Sequence, residues 1–97
     1  MMSTREILAI NLKYLRKKYH MSQEKFAEVI GSNLVYLNQL ENCVRKPTID
    51  MLDKIASNIN KFDSKAKITS SDLIRYNKNH ITNYTRIDER KKETIKQ

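Results

Sequence analysis

A lone glycine punctuates the stretch from Met21 to Asn42, and its neighbours leave this chain few ways to fold. Ser22 can accept a hydrogen bond from an otherwise unpaired N–H at the start of a helix, and Phe26, Ala27 and Ile30 follow at helical spacing. Gly31 comes directly after Ile30, where a left-handed residue ends a helix without a Cβ penalty. Asn33 offers a second N-cap, and Leu37 and Leu40 supply the buried side of the helix that follows. The pattern therefore predicts two short helices separated by a tight turn.

Ninety-seven residues make one small domain with a modest core, which a partner subunit would enlarge. The net charge of +8 and a pI near 9.7 point to a polyanionic partner, nucleic acid being the commonest. A lysine-rich surface that only keeps the chain soluble is the alternative. A single cysteine excludes an intramolecular disulfide and hence a secreted disulfide framework. Residues 1–30 have mixed polarity with no signal-peptide pattern, and no stretch reaches the ~18–20 apolar residues of a membrane span. A cytoplasmic chain is expected.

Upstream, Leu8, Leu12, Leu15 and Tyr19 form one stripe of a helix from about Thr4 to Tyr19, capped by Ser3 or Thr4. Lys13, Arg16, Lys17 and Lys18 lie on its other faces, where they complement the helix dipole; Lys17 and Lys18 either face phosphates or form a solvated basic face. Downstream, Pro47 stops any helix running through it, and Thr48 caps a fourth helix. Ile49, Leu52, Ile55 and Ala56 give that helix its core face, and Asn58 and Asn60 are expected to end it.

Two helices joined by about four residues around a glycine is the helix-turn-helix layout, whose second helix enters the DNA major groove. The residues Leu15-Arg16, Ser22-Gln23, Phe26-Ala27, Ile30-Gly31, Gln39-Leu40-Glu41-Asn42 and Pro47 resemble the helix-turn-helix domain of phage repressors and Cro, the xenobiotic-response-element type. The resemblance covers roughly residues 6–60. It implies an all-α, five-helix repressor-like bundle and an ion pair between Arg16 and Glu41 that ties the first helix to the end of the third. It places base-reading positions on Asn33, Leu34, Val35 and Gln39, with Tyr36 and Asn38 beside them. It also places Gln23 on a phosphate and makes the loop residues Arg45 and Lys46 phosphate-contact candidates.

Glutamine and asparagine can pair with adenine and apolar side chains can touch thymine methyls, so A·T-containing half-sites are expected. Leu34 and Val35 depart from the family's polar leading edge; packing onto the domain or a partner is the alternative to reading bases. His20 and Cys43 stand where the family usually carries glycine, so each is expected to take a positive φ. His20 is read as a turn residue and Cys43 as an incidental loop thiol.

After Ile59 the composition shifts: the first sixty residues carry nine basic and six acidic side chains, the remainder ten and five. Residues 1–60 thus read as the DNA-binding domain and 61–97 as a linker, a fifth helix and a basic C-terminal extension. Lys61 to Lys67 reads as the linker, and Ser70 or Ser71 as the cap of the fifth helix. Leu73, Ile74 and Tyr76 are candidates for completing the core or a dimer contact. Ile81, Tyr84 and Ile87 are three apart, and Asp88 to Gln97 is mostly charged, either a frayed helix or a basic arm.

One cysteine and two distant histidines cannot supply the usual four-ligand zinc set, and a single glycine builds no glycine-rich phosphate loop. Ser22, Ser32 and Ser70 have no base nearby in sequence. Neither enzyme activity nor a cofactor or metal is expected. The chain reads as a sequence-specific regulator of transcription, a repressor binding a palindromic duplex as a homodimer. A protein-interaction module, antitoxin-like or anti-repressor, using Leu34, Val35 and Tyr36 to hold a partner is the rival.

Overall fold

A helix begins where its first N–H groups find side-chain acceptors, and each helix among the described residues does so on a residue suited to it. The computed structural model describes residues 2–82; the expectations for Tyr84, Ile87 and the run from Asp88 to Gln97 lie outside them. Ser3 and Glu6 close a reciprocal capping box that starts α1, Thr4–Lys18. Ser22 Oγ accepts from Lys25 N–H at the start of α2, Gln23–Val29, and Asn33 Oδ1 from Tyr36 N–H at the start of α3, Leu34–Glu41. Thr48 Oγ1 accepts from Met51 N–H to open α4, Ile49–Phe62. Thr69 and Asp72 form a second capping box for α5, Ser70–Leu73. Asn77 Oδ1 accepts from Asn79 and His80 N–H as a further helical turn begins at 78–82.

The ends of α1, α2 and α3 share one chemistry. Each closes on a left-handed residue, His20 (φ 54°), Gly31 (φ 76°) and Cys43 (φ 63°), whose N–H and whose successor's N–H turn back to carbonyls of the last turn. Around Gly31 these bonds are Gly31 N–H to Glu28 O and Ser32 N–H to Ala27 O. A Cβ at Gly31 would stand 2.6 Å from Asn58 Nδ2, which donates to Ile30 O, so the close approach of α4 calls for glycine here, at an angle that His20 and Cys43 also take.

Leu8, Leu12 and Leu15 of α1, Phe26, Ala27 and Ile30 around α2, Leu37 and Leu40 of α3, and Leu52, Ile55, Ala56 and Ile59 of α4 form one core, which Leu73 joins from α5. Contacts of α3 with both α1 and α2, of α2 with α4, and of α5 with both α1 and α4 close the bundle. No described helix is long and apolar enough to cross a membrane.

Several expectations for the second half change. Asn58 and Asn60 lie inside α4, because each amide has a tertiary partner: Asn58 the Ile30 carbonyl, Asn60 both the N–H and carbonyl of Ile68. Lys61 and Phe62 therefore belong to α4 rather than to a linker. Ile49 is 77% exposed, since the buried stripe starts one turn later and runs Leu52, Ile55, Ala56, Ile59. The fifth helix caps on Thr69 and stops at Leu73, where Asn11 Nδ2 donates to the carbonyls of Leu73 (2.8 Å) and Arg75 (3.0 Å) in place of a further helical turn. Leu73 is buried and Ile74 packs on the core edge, whereas Tyr76 is 58% exposed.

Candidate nucleic-acid interface

Helix α3 is fixed from its inner side. Leu37 and Leu40 sit in the core, and Glu41, one position on, carries its carboxylate inward with a side chain only 1% exposed. A buried carboxylate persists only when its lone pairs are met. Arg16 Nε donates to Oε2 and Arg16 Nη2 to Oε1, both at 3.0 Å, in the two-pronged geometry that guanidinium and carboxylate favour. Gln23 Nε2, from the first turn of α2, donates to Oε1 at 3.2 Å. Three helices meet on one carboxylate, and the orientation of α3 follows.

The outer side of α3 is left open. Val35 is 67% and Leu34 40% exposed, so neither is absorbed by the domain; Asn38 is exposed, and Tyr36 and Gln39 are half-buried. Asn33, beside them, spends its Oδ1 on the helix cap. Asn42 Nδ2 donates to Asn38 Oδ1 (3.0 Å). Amides and apolar groups on one exposed helical face offer hydrogen bonds to base edges and contacts to methyl groups.

The basic residues divide. Arg45 and Lys46 are exposed in the loop between α3 and α4, adjoining that face. The Arg45 guanidinium carbon lies 5.0 Å from the centroid of the Tyr36 ring, and its Nη1 is 3.5 Å from Gln39 Oε1. Lys17 is half-buried. Lys18 is about 200° around α1 from Arg16. Its Nζ lies 5.9 Å from the Tyr19 ring centroid, and its charge acts on Asp63 and His80, so it is not brought together with α3. On that same side burial, with the Asp63 hydrogen bond, pushes the Tyr19 hydroxyl up to about 12. Gln23 is turned toward Glu41 through one N–H of its amide nitrogen, and the same nitrogen carries a second donor.

Sequence reasoning missed the attachment of Gln23 to the Arg16–Glu41 pair and that of Arg45 to Tyr36 and Gln39. It also passed over Asn11, 3% exposed, although one asparagine within the apolar run Ile7-Leu8-Ala9-Ile10-Asn11-Leu12 is the mark of a buried polar group that must find partners.

A family model described as helix-turn-helix matches residues 12–61. No curated protein matches the chain. A solved structure described as a hypothetical transcription factor, NHTF, from Neisseria aligns with a TM-score of 0.66 at 19% identity, covering 82% of this chain and 84% of that one. At that identity the likeness is one of fold.

Proposed function

Because the chain belongs to the helix-turn-helix family of DNA-binding transcription regulators, we propose that it is a repressor that reads a palindromic operator as a homodimer in the cytoplasm. The observation that carries this reading is the contrast across α3: an inner face locked by Arg16, Gln23 and Glu41, and an outer face whose side chains stand exposed. Residues 1–60 form the reading domain; in the segment 61–97, Leu73 completes its core and the excess of basic residues adds positive charge. Gln39, Asn38, Leu34, Val35 and Tyr36 face base edges, with Asn33 at the leading end. Lys46 and Lys17 neutralise phosphates, and Gln23 reaches one through the second N–H of its amide nitrogen, the first being held by Glu41. Two copies set their α3 helices in major grooves about 34 Å apart. Tyr76, exposed where Leu73 is buried, is the tail candidate open to the second copy.

The exposure of Leu34 and Val35 also favours the rival, a surface that holds a protein. Fluorescence anisotropy separates the two, using the duplex upstream of the chain's own gene and a scrambled duplex at roughly physiological salt. A preference of about 10³ or more supports an operator. Equal, steeply salt-dependent binding to both overturns sequence-specific reading and leaves only a basic protein.

A further inference from the structure

Arg45, although exposed, lies back against α3 rather than extending away from it. The left-handed turn at Cys43, with Val44 N–H bonded to Gln39 O, folds the chain back alongside the outer face of α3. There the guanidinium lies over the Tyr36 ring, 5.0 Å from its centroid, within cation–π range. One of its nitrogens is 3.5 Å from Gln39 Oε1. Arginine has donors and no acceptor, so the Gln39 amide must turn its oxygen to Arg45 and its nitrogen the other way.

Building on the DNA-reading proposal above, we infer that Arg45 is a positioning residue that fixes the Gln39 amide so that its Nε2 is the group presented to the bases. The paired contact to adenine uses amide oxygen and nitrogen together. With the oxygen engaged, the Gln39 amide presents only its Nε2, whose two N–H groups are donors. The base edge with two adjacent acceptors, O6 and N7, is that of guanine. This half-site position is therefore G·C rather than the A·T pair that Gln39 alone would suggest. Tyr36 supplies the ring over which the guanidinium lies, a contact that an ammonium group, with no planar fork, would not reproduce.

The test is selection from a randomised duplex library with the wild-type chain, Arg45→Ala and Arg45→Lys, followed by affinities for the selected duplex and its single-base-pair variants. The wild type is expected to enrich a half-site with guanine preferred about tenfold or more at one position. Arg45→Ala and Arg45→Lys keep the rest of the half-site and lose that guanine preference toward parity, even where Lys restores affinity for random duplex. A motif identical at every position for all three chains, with only overall affinity reduced, overturns the inference and leaves Arg45 a phosphate contact. A wild-type motif without that guanine overturns it too. Failure of the wild type to enrich any motif instead overturns the DNA-reading proposal, and the inference falls with it.

Discussion

Helix α1 meets the rest of the molecule through two polar side chains on well-separated sides, and they solve different problems. Arg16 binds a side chain, the buried carboxylate of Glu41, with a charged, two-pronged contact. Asn11, five residues earlier and so about 140° away around the helix, binds backbone. Its Nδ2 lies within reach of the carbonyls of Leu73, Arg75 and, at 3.4 Å, Asp72. Its Oδ1 faces His80 Nδ1 at 2.8 Å, and an oxygen that only accepts means that this nitrogen carries the proton. The His80 ring stacks on Tyr14 with centroids 3.7 Å apart. Charge is used where a whole helix must keep its angle. A neutral amide is used where the end of the four-residue α5 leaves carbonyls to be met. Among the described residues no buried side-chain nitrogen or oxygen lacks a partner, so both joints are complete.

Breaking the charged joint has the largest expected effect. Arg16→Ala strands a buried carboxylate and should cost about 3–5 kcal/mol in urea unfolding, whereas Arg16→Met with Glu41→Leu removes both charges and should recover most of the loss. Equal losses in the single and double variants would mean that the pair acts through packing rather than charge.

Asn11→Leu should cost less, about 1–3 kcal/mol, by leaving the carbonyls of Leu73 and Arg75 unmet. At a temperature where the variant is fully folded it should bind duplex DNA as the wild type does, because Asn11 holds the C-terminal segment and not α3. Altered discrimination between duplexes would erase the distinction between the two sides of α1.

The neutral joint is also sensitive to pH. Burial first, and the nearby Lys18 charge second, hold His80 below its ordinary 6.5. Since the folded value is the lower one, protonation favours the unfolded chain: stability is full above the unfolded value and falls as pH drops through the folded one. The lowered carboxyls of Glu6, Asp63 and Asp72, each held chiefly by its hydrogen bonds, act in a separate window below about pH 4. His80→Phe, which keeps a ring on Tyr14, should flatten stability in the window that opens below about pH 6.5, while leaving the steeper loss below about pH 4. An unchanged profile would remove His80 from the account.

The smallest effect serves as a control on both joints. His20 is exposed and left-handed at the end of α1, so His20→Gly relieves backbone strain without touching either contact. Stability should rise by about 0.5 kcal/mol, the left-handed penalty of a Cβ less the entropy of glycine, with DNA binding unchanged. A fall would show that the ring itself makes a needed contact.

Local chemistry was the legible part of this fold. Ser3, Ser22, Asn33 and Thr48 could be read as caps because the acceptor and the N–H it satisfies lie three residues apart. The positive φ of His20 and Cys43 followed from spacing against the family pattern. Asn58 and Asn60 were misread as helix ends because nothing within α4 reveals that Ile30 and Ile68 wait for them. For the site, the resemblance implied that Arg16 meets Glu41, while the third member, Gln23, is eighteen residues from Glu41 and left no local sign. Arg45 is only six residues from Gln39, yet its direction depends on a left-handed turn that composition does not encode.

The most direct test of the central claim, that a locked inner face of α3 presents its outer face to bases, is the affinity of wild type and Gln39→Ala for a selected duplex and its single-base-pair variants. Gln39→Ala should lose about 1–3 kcal/mol on the selected duplex and cease to discriminate at one position, keeping its affinity for the duplexes altered there. An equal loss on every duplex would contradict base reading by this face.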